Sequence, residues 1–170
     1  KTLPTRRSVE VSSAPQMSPD GSGYMDSTVF HNANRLVVEF GLFDDDAYLN
    51  LNGDNIRHCE GTMYVAERPV LKWIAFLELK DCKPCNVSKY KNSAQEQIKN
   101  VVDDFKSRGL ITNEKVYGII SCPRKKVAFN STIVGDNVAA TKLLRTTGIH
   151  FYGTNEVFIV SEDILRFKIM

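Results

Sequence analysis

The feature that most constrains the fold of this chain is an apolar run at residues 71–79, LKWIAFLEL. It is far shorter than the ~20 residues of a membrane-spanning helix, and it suits a strand that is buried on both faces of a sheet. Because side chains alternate along a strand, Glu78 and Lys80 share one face, and Leu77 and Leu79 share the other. The run therefore predicts a central strand, with a carboxylate and an ammonium group emerging together where that strand reaches solvent.

Length and composition indicate one globular domain of average character. The chain has 170 residues, of which 42% are hydrophobic and 25% are charged. These values exclude an entirely disordered chain, a collagen-like repeat and a disulfide scaffold. The formal net charge is +2, which is too small to indicate a nucleic-acid partner unless the charges cluster locally.

The first 28 residues differ in composition from the rest. Prolines and serines are concentrated there, and two glycines follow them. We predict a flexible or extended N-terminal arm over residues 1–28, with at most a short strand at 8–12. The remainder, 29–170, is predicted to be a single α/β domain. No segment is apolar enough to span a bilayer, so no membrane association is predicted.

The body of the chain shows the periodicities of a mixed sheet with helices. Alternating and β-branched runs predict strands, and apolar residues at helical spacing predict helices. In chain order we predict strands at 35–42, 47–51, 56–67 and 71–79, a helix from the N-cap Ser93 to 107, a strand at 115–121, a helix at 137–147, strands at 149–152 and 157–160, and turns at 44–46, 52–54 and 68–69. This order predicts an α/β fold in which a central mixed β-sheet, a β-meander followed by β-α-β, is flanked by helices.

The pair of Glu78 and Lys80 has the chemistry of a hydrolytic metal site. A carboxylate binds a divalent cation, and a neighbouring ammonium orients a water and offsets the charge of a phosphate. One carboxylate binds Mg²⁺ weakly, so a second acid is expected from a neighbouring strand. Glu60, on the preceding predicted strand, is the first choice, and Asp54 in the turn before it is the alternative. An ordinary ion pair at a strand end is the structural alternative.

These residues and the order of elements resemble the PD-(D/E)xK nuclease superfamily. The acid-x-Lys motif is Glu78-Leu79-Lys80, the first acid is Glu60, and the following helix and strand fall where the family has them. The resemblance implies a restriction-endonuclease-like fold in which Glu60, Glu78 and the Leu79 carbonyl bind Mg²⁺ or Mn²⁺. Glu60, Glu78 and Lys80 would be catalytic, with Lys80 positioning the attacking water. The implied activity is metal-dependent hydrolysis of phosphodiester bonds in nucleic acid, with DNA as the favoured substrate.

The resemblance leaves the identity of some site residues and the activity itself open. The first acid of the family is usually Asp rather than Glu. Some members place a Gln near the metal on the following helix, where both Gln95 and Gln97 fit. A catalytically inactive domain, serving as a nucleic-acid- or protein-binding subunit of a larger complex, is the alternative function. The family also implies a homodimer, since cutting both strands of a duplex usually takes two sites.

Basic residues cluster after the apolar strand and after the strand that follows the first helix. Lys and Arg in loops beside a metal site contact phosphates and give salt-dependent binding, although a solvated loop has the same composition. The predicted nucleic-acid-binding residues are Lys83, Lys89, Lys91, Arg124, Lys125 and Lys126.

The chain has four cysteines, Cys59, Cys82, Cys85 and Cys122, which is sparse for a disulfide-rich protein. The N-terminus also lacks the apolar core of a secretory signal. Both features favour reduced thiols in the cytoplasm, or in the nucleus of a eukaryote. The Cys82-x-x-Cys85 pair admits a zinc site with Cys59 and Cys122 as a further alternative.

Overall fold

The computed structural model describes residues 2–3, 8–11, 27–44, 48–66 and 70–169 of the chain. Ten strands are formed by these residues: β1 (Thr2–Leu3), β2 (Ser8–Val11), β3 (Thr28–His31), β4 (Val38–Leu42), β5 (Gly61–Val65), β6 (Trp73–Leu79), β7 (Lys115–Ser121), β8 (Ile149–Gly153), β9 (Glu156–Ser161) and β10 (Ile164–Phe167). Within the same ranges three α-helices form: α1 (Val87–Ser107), α2 (Asn130–Val134) and α3 (Asn137–Thr147), with a 3-10 turn at Pro84–Asn86.

The apolar run forms β6, an interior strand of a six-stranded mixed sheet. Every residue of β6 is buried, because the strand has a neighbour on each edge and a packed layer on each face. The strand order is β1-β4-β5-β6-β7-β8. β4, β5 and β6 form an antiparallel meander, whereas β6, β7 and β8 run parallel. The predicted α/β class, with a mixed sheet built from a meander and a β-α-β unit, is confirmed.

The two faces of this sheet are covered by different layers. Phe76 of β6 packs with Ile98 of α1 and with residues of α2 and α3. Leu77 faces the opposite side and packs with Phe30 of β3 and Val157 of β9. These last strands belong to a second sheet, ordered β10-β9-β3-β2. The described helices therefore lie on one face of the central sheet, and the prediction of flanking helices is correct for that face only, because the second sheet occupies the other.

The segment between β4 and β5 differs from its prediction. The sequence predicts a hairpin partner for β4 at 47–51, but β4 pairs with β5. Residues 48–55 instead form a loop on α1. Asp104 of α1 accepts hydrogen bonds from the Leu51 amide at 3.0 Å and from the Tyr48 hydroxyl at 2.8 Å. These bonds to a buried carboxylate hold the loop against the helix and away from the edge of β4.

Helix α1 begins before its predicted start. The sequence places an N-cap at Ser93, but this residue lies inside the helix, where its hydroxyl donates to the Tyr90 carbonyl at 3.1 Å. The helix starts at Val87, which is buried in the core. Packing of the first turn therefore outweighs the local capping pattern. The predicted end at Ser107 and the stop at Gly109, whose φ is +70°, are confirmed.

Most other elements match their predicted positions. β7 and α3 coincide with the elements predicted at 115–121 and 137–147, β8 and β9 lie within a residue of the strands predicted at 149–152 and 157–160, and the strand predicted at 56–67 is shortened to β5. The turn at 52–54 is present, with Gly53 at a φ of +84°. The predicted turns at 45–46 and 68–69 lie outside the described residues.

Part of the predicted N-terminal arm contributes to both sheets. β1 pairs with β4, and β2 pairs with β3, so the short strand predicted at 8–12 is present as β2. Residues 12–26 lie outside the described residues. The division of the chain into an arm over 1–28 and a domain over 29–170 stays a prediction. Within the described ranges, every helix is too short or too polar to cross a bilayer.

Candidate functional site

Glu78 and Lys80 lie at the end of β6, on the face that packs against α1. The Glu78 side chain is 2% exposed and the Lys80 side chain is 17% exposed. The Lys80 ammonium forms an ion pair with the Glu78 carboxylate. Leu77 and Leu79 pack on the opposite face, as the alternation predicts. The strand therefore delivers both charges to one place, but it buries the carboxylate more deeply than the sequence suggests.

Gln97 of α1 holds Lys80 from the helix side. The Lys80 ammonium donates to Gln97 Oε1 at 2.7 Å. The amide nitrogen of Gln97 donates in turn to the His58 carbonyl at 2.8 Å, in the loop that leads to β5. Gln95 instead donates to the Ile133 carbonyl on α2 at 2.9 Å. Of the two glutamines that fit the sequence pattern, Gln97 is the one at the site.

Glu60 directly precedes β5. The paired register of β5 and β6 ends at Gly61 and Leu77, one residue short of Glu60 and Glu78. Glu60 is half-buried, and its negative charge acts on the Glu78 carboxylate. Asp54, the alternative acid, is exposed and lies in the loop between β4 and β5. Of the two candidate acids, Glu60 is therefore the one whose charge acts on Glu78.

The environment of Glu78 strongly disfavours its charge. Burial raises the pKa of Glu78 to about 7. The hydrogen bond and positive charge of Lys80 oppose this increase, and the negative charge of Glu60 adds to it. The two carboxylates thus lie within electrostatic reach of each other. A buried acid with a raised pKa beside a specific charge partner is typical of functional sites.

One oxygen of Glu78 has the character of an open ligand position. Glu78 Oε2 is buried, and no described group forms a hydrogen bond with it. A buried carboxylate oxygen without a partner is costly, and a bound cation would remove that cost. Mg²⁺ is bound by one or two carboxylates and retains several waters. Glu60, Glu78 and the Leu79 carbonyl next to them in β6 therefore fit the donor set of Mg²⁺ or Mn²⁺.

A closed zinc site is not formed by the described residues. Among them, no group of three or more His, Cys, Asp and Glu side chains lies close enough to hold a metal ion. All four cysteines are free thiols, and three of them, Cys59, Cys82 and Cys122, are buried whereas Cys85 is exposed. The zinc alternative therefore has no support in the fold.

The two basic segments lie together at the same edge of the sheet. The Lys80 amide donates to the Ser121 carbonyl at 2.8 Å, which aligns the chain after β6 with the chain after β7. Arg124 forms an ion pair with Asp81 at 2.6 Å, so it is partly neutralised. Of the other predicted basic residues, Lys83, Lys89 and Lys126 are exposed, and Lys91 and Lys125 are half-buried.

Asn155 is a residue of this region that sequence reasoning missed. Its side-chain amide donates to the carbonyls of Cys122 and Lys125 at 3.0 and 2.9 Å. Its side-chain oxygen accepts from the Cys122 amide at 2.9 Å. Asn155 therefore sets the conformation of the basic turn after β7. No sequence signal connects it to that turn, because the contact is made from the distant loop between β8 and β9.

Comparisons with protein-family models, with curated proteins and with solved structures find no match to this chain.

Proposed function

We propose that this chain is a divalent-metal-dependent nuclease with a restriction-endonuclease-like active site at the end of β6. The observation that carries the proposal is the carboxylate of Glu78. It is buried and paired with Lys80, the charge of Glu60 acts on it, and one of its oxygens has no partner among the described groups. A carboxylate with an unpartnered oxygen next to an ammonium group suits a divalent cation that acts together with a lysine.

The proposed mechanism divides the chemistry between the two acids and the lysine. Glu60, Glu78 and the Leu79 carbonyl would hold Mg²⁺ or Mn²⁺. When bound, the cation supplies Lewis-acid stabilisation of the negative charge on the phosphate and the leaving oxygen. Lys80 orients the attacking water and contributes positive charge. Gln97 holds the Lys80 ammonium in place through the 2.7 Å hydrogen bond.

Nucleic acid, with DNA favoured, is the proposed substrate. Exposed lysines follow β6 and β7 at the end of the sheet where Lys80 lies. A phosphate backbone bound by these lysines would therefore lie beside the candidate metal ligands. The direct experiment is a nicking assay on supercoiled plasmid, with Mg²⁺ or Mn²⁺ and with EDTA. Nicking that requires the cation supports the proposal, and its absence with either cation contradicts it.

The exposed lysines give a salt-dependence prediction. Replacing Lys83, Lys89 and Lys126 by alanine together should weaken DNA binding. It should also reduce the slope of log affinity against log salt by ~0.9 for each lysine that contacts a phosphate. The measurement is a fluorescence anisotropy titration of labelled duplex at several salt concentrations, with Ca²⁺ in place of Mg²⁺ to prevent cleavage.

The matched control for that variant removes three exposed lysines elsewhere. Lys72 and Lys115 lie at the opposite ends of β6 and β7, and Lys142 lies on α3. Alanine at these three positions changes the net charge by the same amount and should leave the salt slope unchanged. Equal losses in the two triple variants would show that binding follows net charge and not the proposed surface.

A non-catalytic binding subunit is the second candidate, and one observation favours it. The Glu78 carboxylate is nearly inaccessible and is paired with Lys80, which is also the arrangement of a structural ion pair. A buried pair of this kind is retained without any catalytic role in many folds. Binding of DNA without cation-dependent nicking, together with no Mg²⁺ or Mn²⁺ affinity, would support this candidate.

A further inference from the structure

Two buried thiols face each other at the same edge of the sheet as the candidate site. Cys82 follows β6 and Cys122 follows β7, and each thiol is the side-chain hydrogen-bond partner of the other. Cys82 is 7% exposed and Cys122 is 1% exposed. The candidate mechanism uses neither of them.

The surrounding segments hold the two thiols together. Both belong to the core cluster on the α1 face of the sheet, and the Lys80 amide donates to the Ser121 carbonyl at 2.8 Å just before the two cysteines. A disulfide has its sulfurs ~2.05 Å apart, so two thiols already in hydrogen-bond contact need only a short approach to form one. Beyond the thiols, the ion pair between Asp81 and Arg124 at 2.6 Å joins the same two segments. Both sides of the thiol pair are therefore fixed.

We propose that Cys82 and Cys122 form a reversible disulfide that locks the segment after β6 to the segment after β7. The proposal does not depend on the nuclease function. Cys82 also donates its backbone amide to the Lys80 carbonyl at 2.9 Å, so the disulfide would fix the stretch of chain that carries Lys80. The two free thiols would thus form a redox-sensitive cross-link next to the candidate site.

The chemistry balances with a small disulfide such as oxidised glutathione as the oxidant. The thiolate of Cys82, the more accessible of the two, attacks one glutathione sulfur, and one glutathione leaves as a thiol. The sulfur of Cys122 then attacks the mixed disulfide at Cys82, and the second glutathione leaves as a thiol. Two protein thiols are oxidised by two electrons, one glutathione disulfide is reduced, and both protein protons end on the glutathione thiols.

The reaction should be slow at neutral pH and faster in alkaline buffer. Burial raises the pKa of both thiols, that of Cys122 to about 12, and only the thiolate is the nucleophile. Once formed, the disulfide closes a long loop of chain and should raise the melting temperature by about 5 °C.

The test is peptide mapping of the native protein after incubation with oxidised glutathione, under non-reducing conditions. We expect a cross-linked peptide that contains Cys82 and Cys122, has lost two hydrogen atoms in mass, and separates on reduction. Cys85→Ser should leave this product intact, and Cys122→Ser should abolish it. A Cys82–Cys85 disulfide, stable glutathione adducts alone, or no oxidation of the native protein would each overturn the proposal. The wild-type map decides the question even if Cys122→Ser fails to fold.

Discussion

Replacing Lys80 by alanine should abolish cation-dependent cleavage while leaving the protein folded. In the proposed mechanism Lys80 orients the attacking water and adds positive charge beside the phosphate. Loss of one positioned group of this kind typically lowers the rate by ~10²–10⁴-fold. The measurement is the initial rate of plasmid nicking with Mg²⁺ and with Mn²⁺, compared with wild type at equal protein concentration.

The fold should tolerate this change because the buried acid can neutralise itself. Without the Lys80 charge, the pKa of Glu78 rises further, and the carboxyl group becomes a neutral buried acid. Circular dichroism and urea unfolding should therefore show a native protein. Lys72→Ala, which removes an exposed lysine at the opposite end of β6, is the matched control and should retain cleavage. Undiminished nicking by the Lys80 variant would remove this residue from the mechanism.

Replacing Glu78 by glutamine should change the pH dependence of stability. In the folded protein the pKa of Glu78 is about 7, against an ordinary value of 4.5. The folded state therefore binds this proton more tightly than the unfolded state does. The contribution of Glu78 to the free energy of unfolding is fully present below pH 4.5. It is lost as the pH rises through 7, and the total loss is about 3 kcal/mol. Glutamine does not ionise, so the variant does not lose this free energy.

The measurement is the free energy of unfolding in urea at pH 5, 6, 7 and 8, with EDTA present. Between pH 5 and pH 8 the free energy of unfolding of Glu78→Gln, relative to wild type, should rise by about 2.5 kcal/mol. Glu96→Gln, at an exposed position of α1, should run parallel to wild type. Parallel curves for Glu78→Gln would show that the carboxylate is not buried in the way described.

Metal binding adds a second difference between these proteins. A cation binds the ionised carboxylate, so Mg²⁺ should stabilise wild type more at pH 8 than at pH 6. Glu78→Gln should show no such gain. A gain of equal size in both proteins would place the cation elsewhere on the chain.

The parts of the site that can be predicted from sequence are those fixed by a single strand. Alternation along β6 suffices to place Glu78 and Lys80 on one face and Leu79 on the other. That inference needs no knowledge of the rest of the fold. The position of Glu60 opposite Glu78 stays a prediction, because the paired register of β5 and β6 ends one residue before it.

The parts that could not be predicted depend on which element packs on which face. Gln95 and Gln97 point in different directions around α1, and only the position of the loop before β5 decides between them. The second sheet depends on the parallel pairing of β3 with β9, whose residues are more than a hundred positions apart. Short strands of this kind carry too little local pattern to show their partner. The role of Asn155 has the same origin.

In the proposed mechanism Glu60 and Glu78 share one divalent cation. A crystal structure of the protein soaked in Mn²⁺, with anomalous scattering used to locate the metal, tests this directly. We expect an anomalous peak within about 2.2 Å of an oxygen of each carboxylate, with the Lys80 ammonium alongside. Fully ordered carboxylates with no peak between them, and Glu78 still paired only with Lys80, would contradict it.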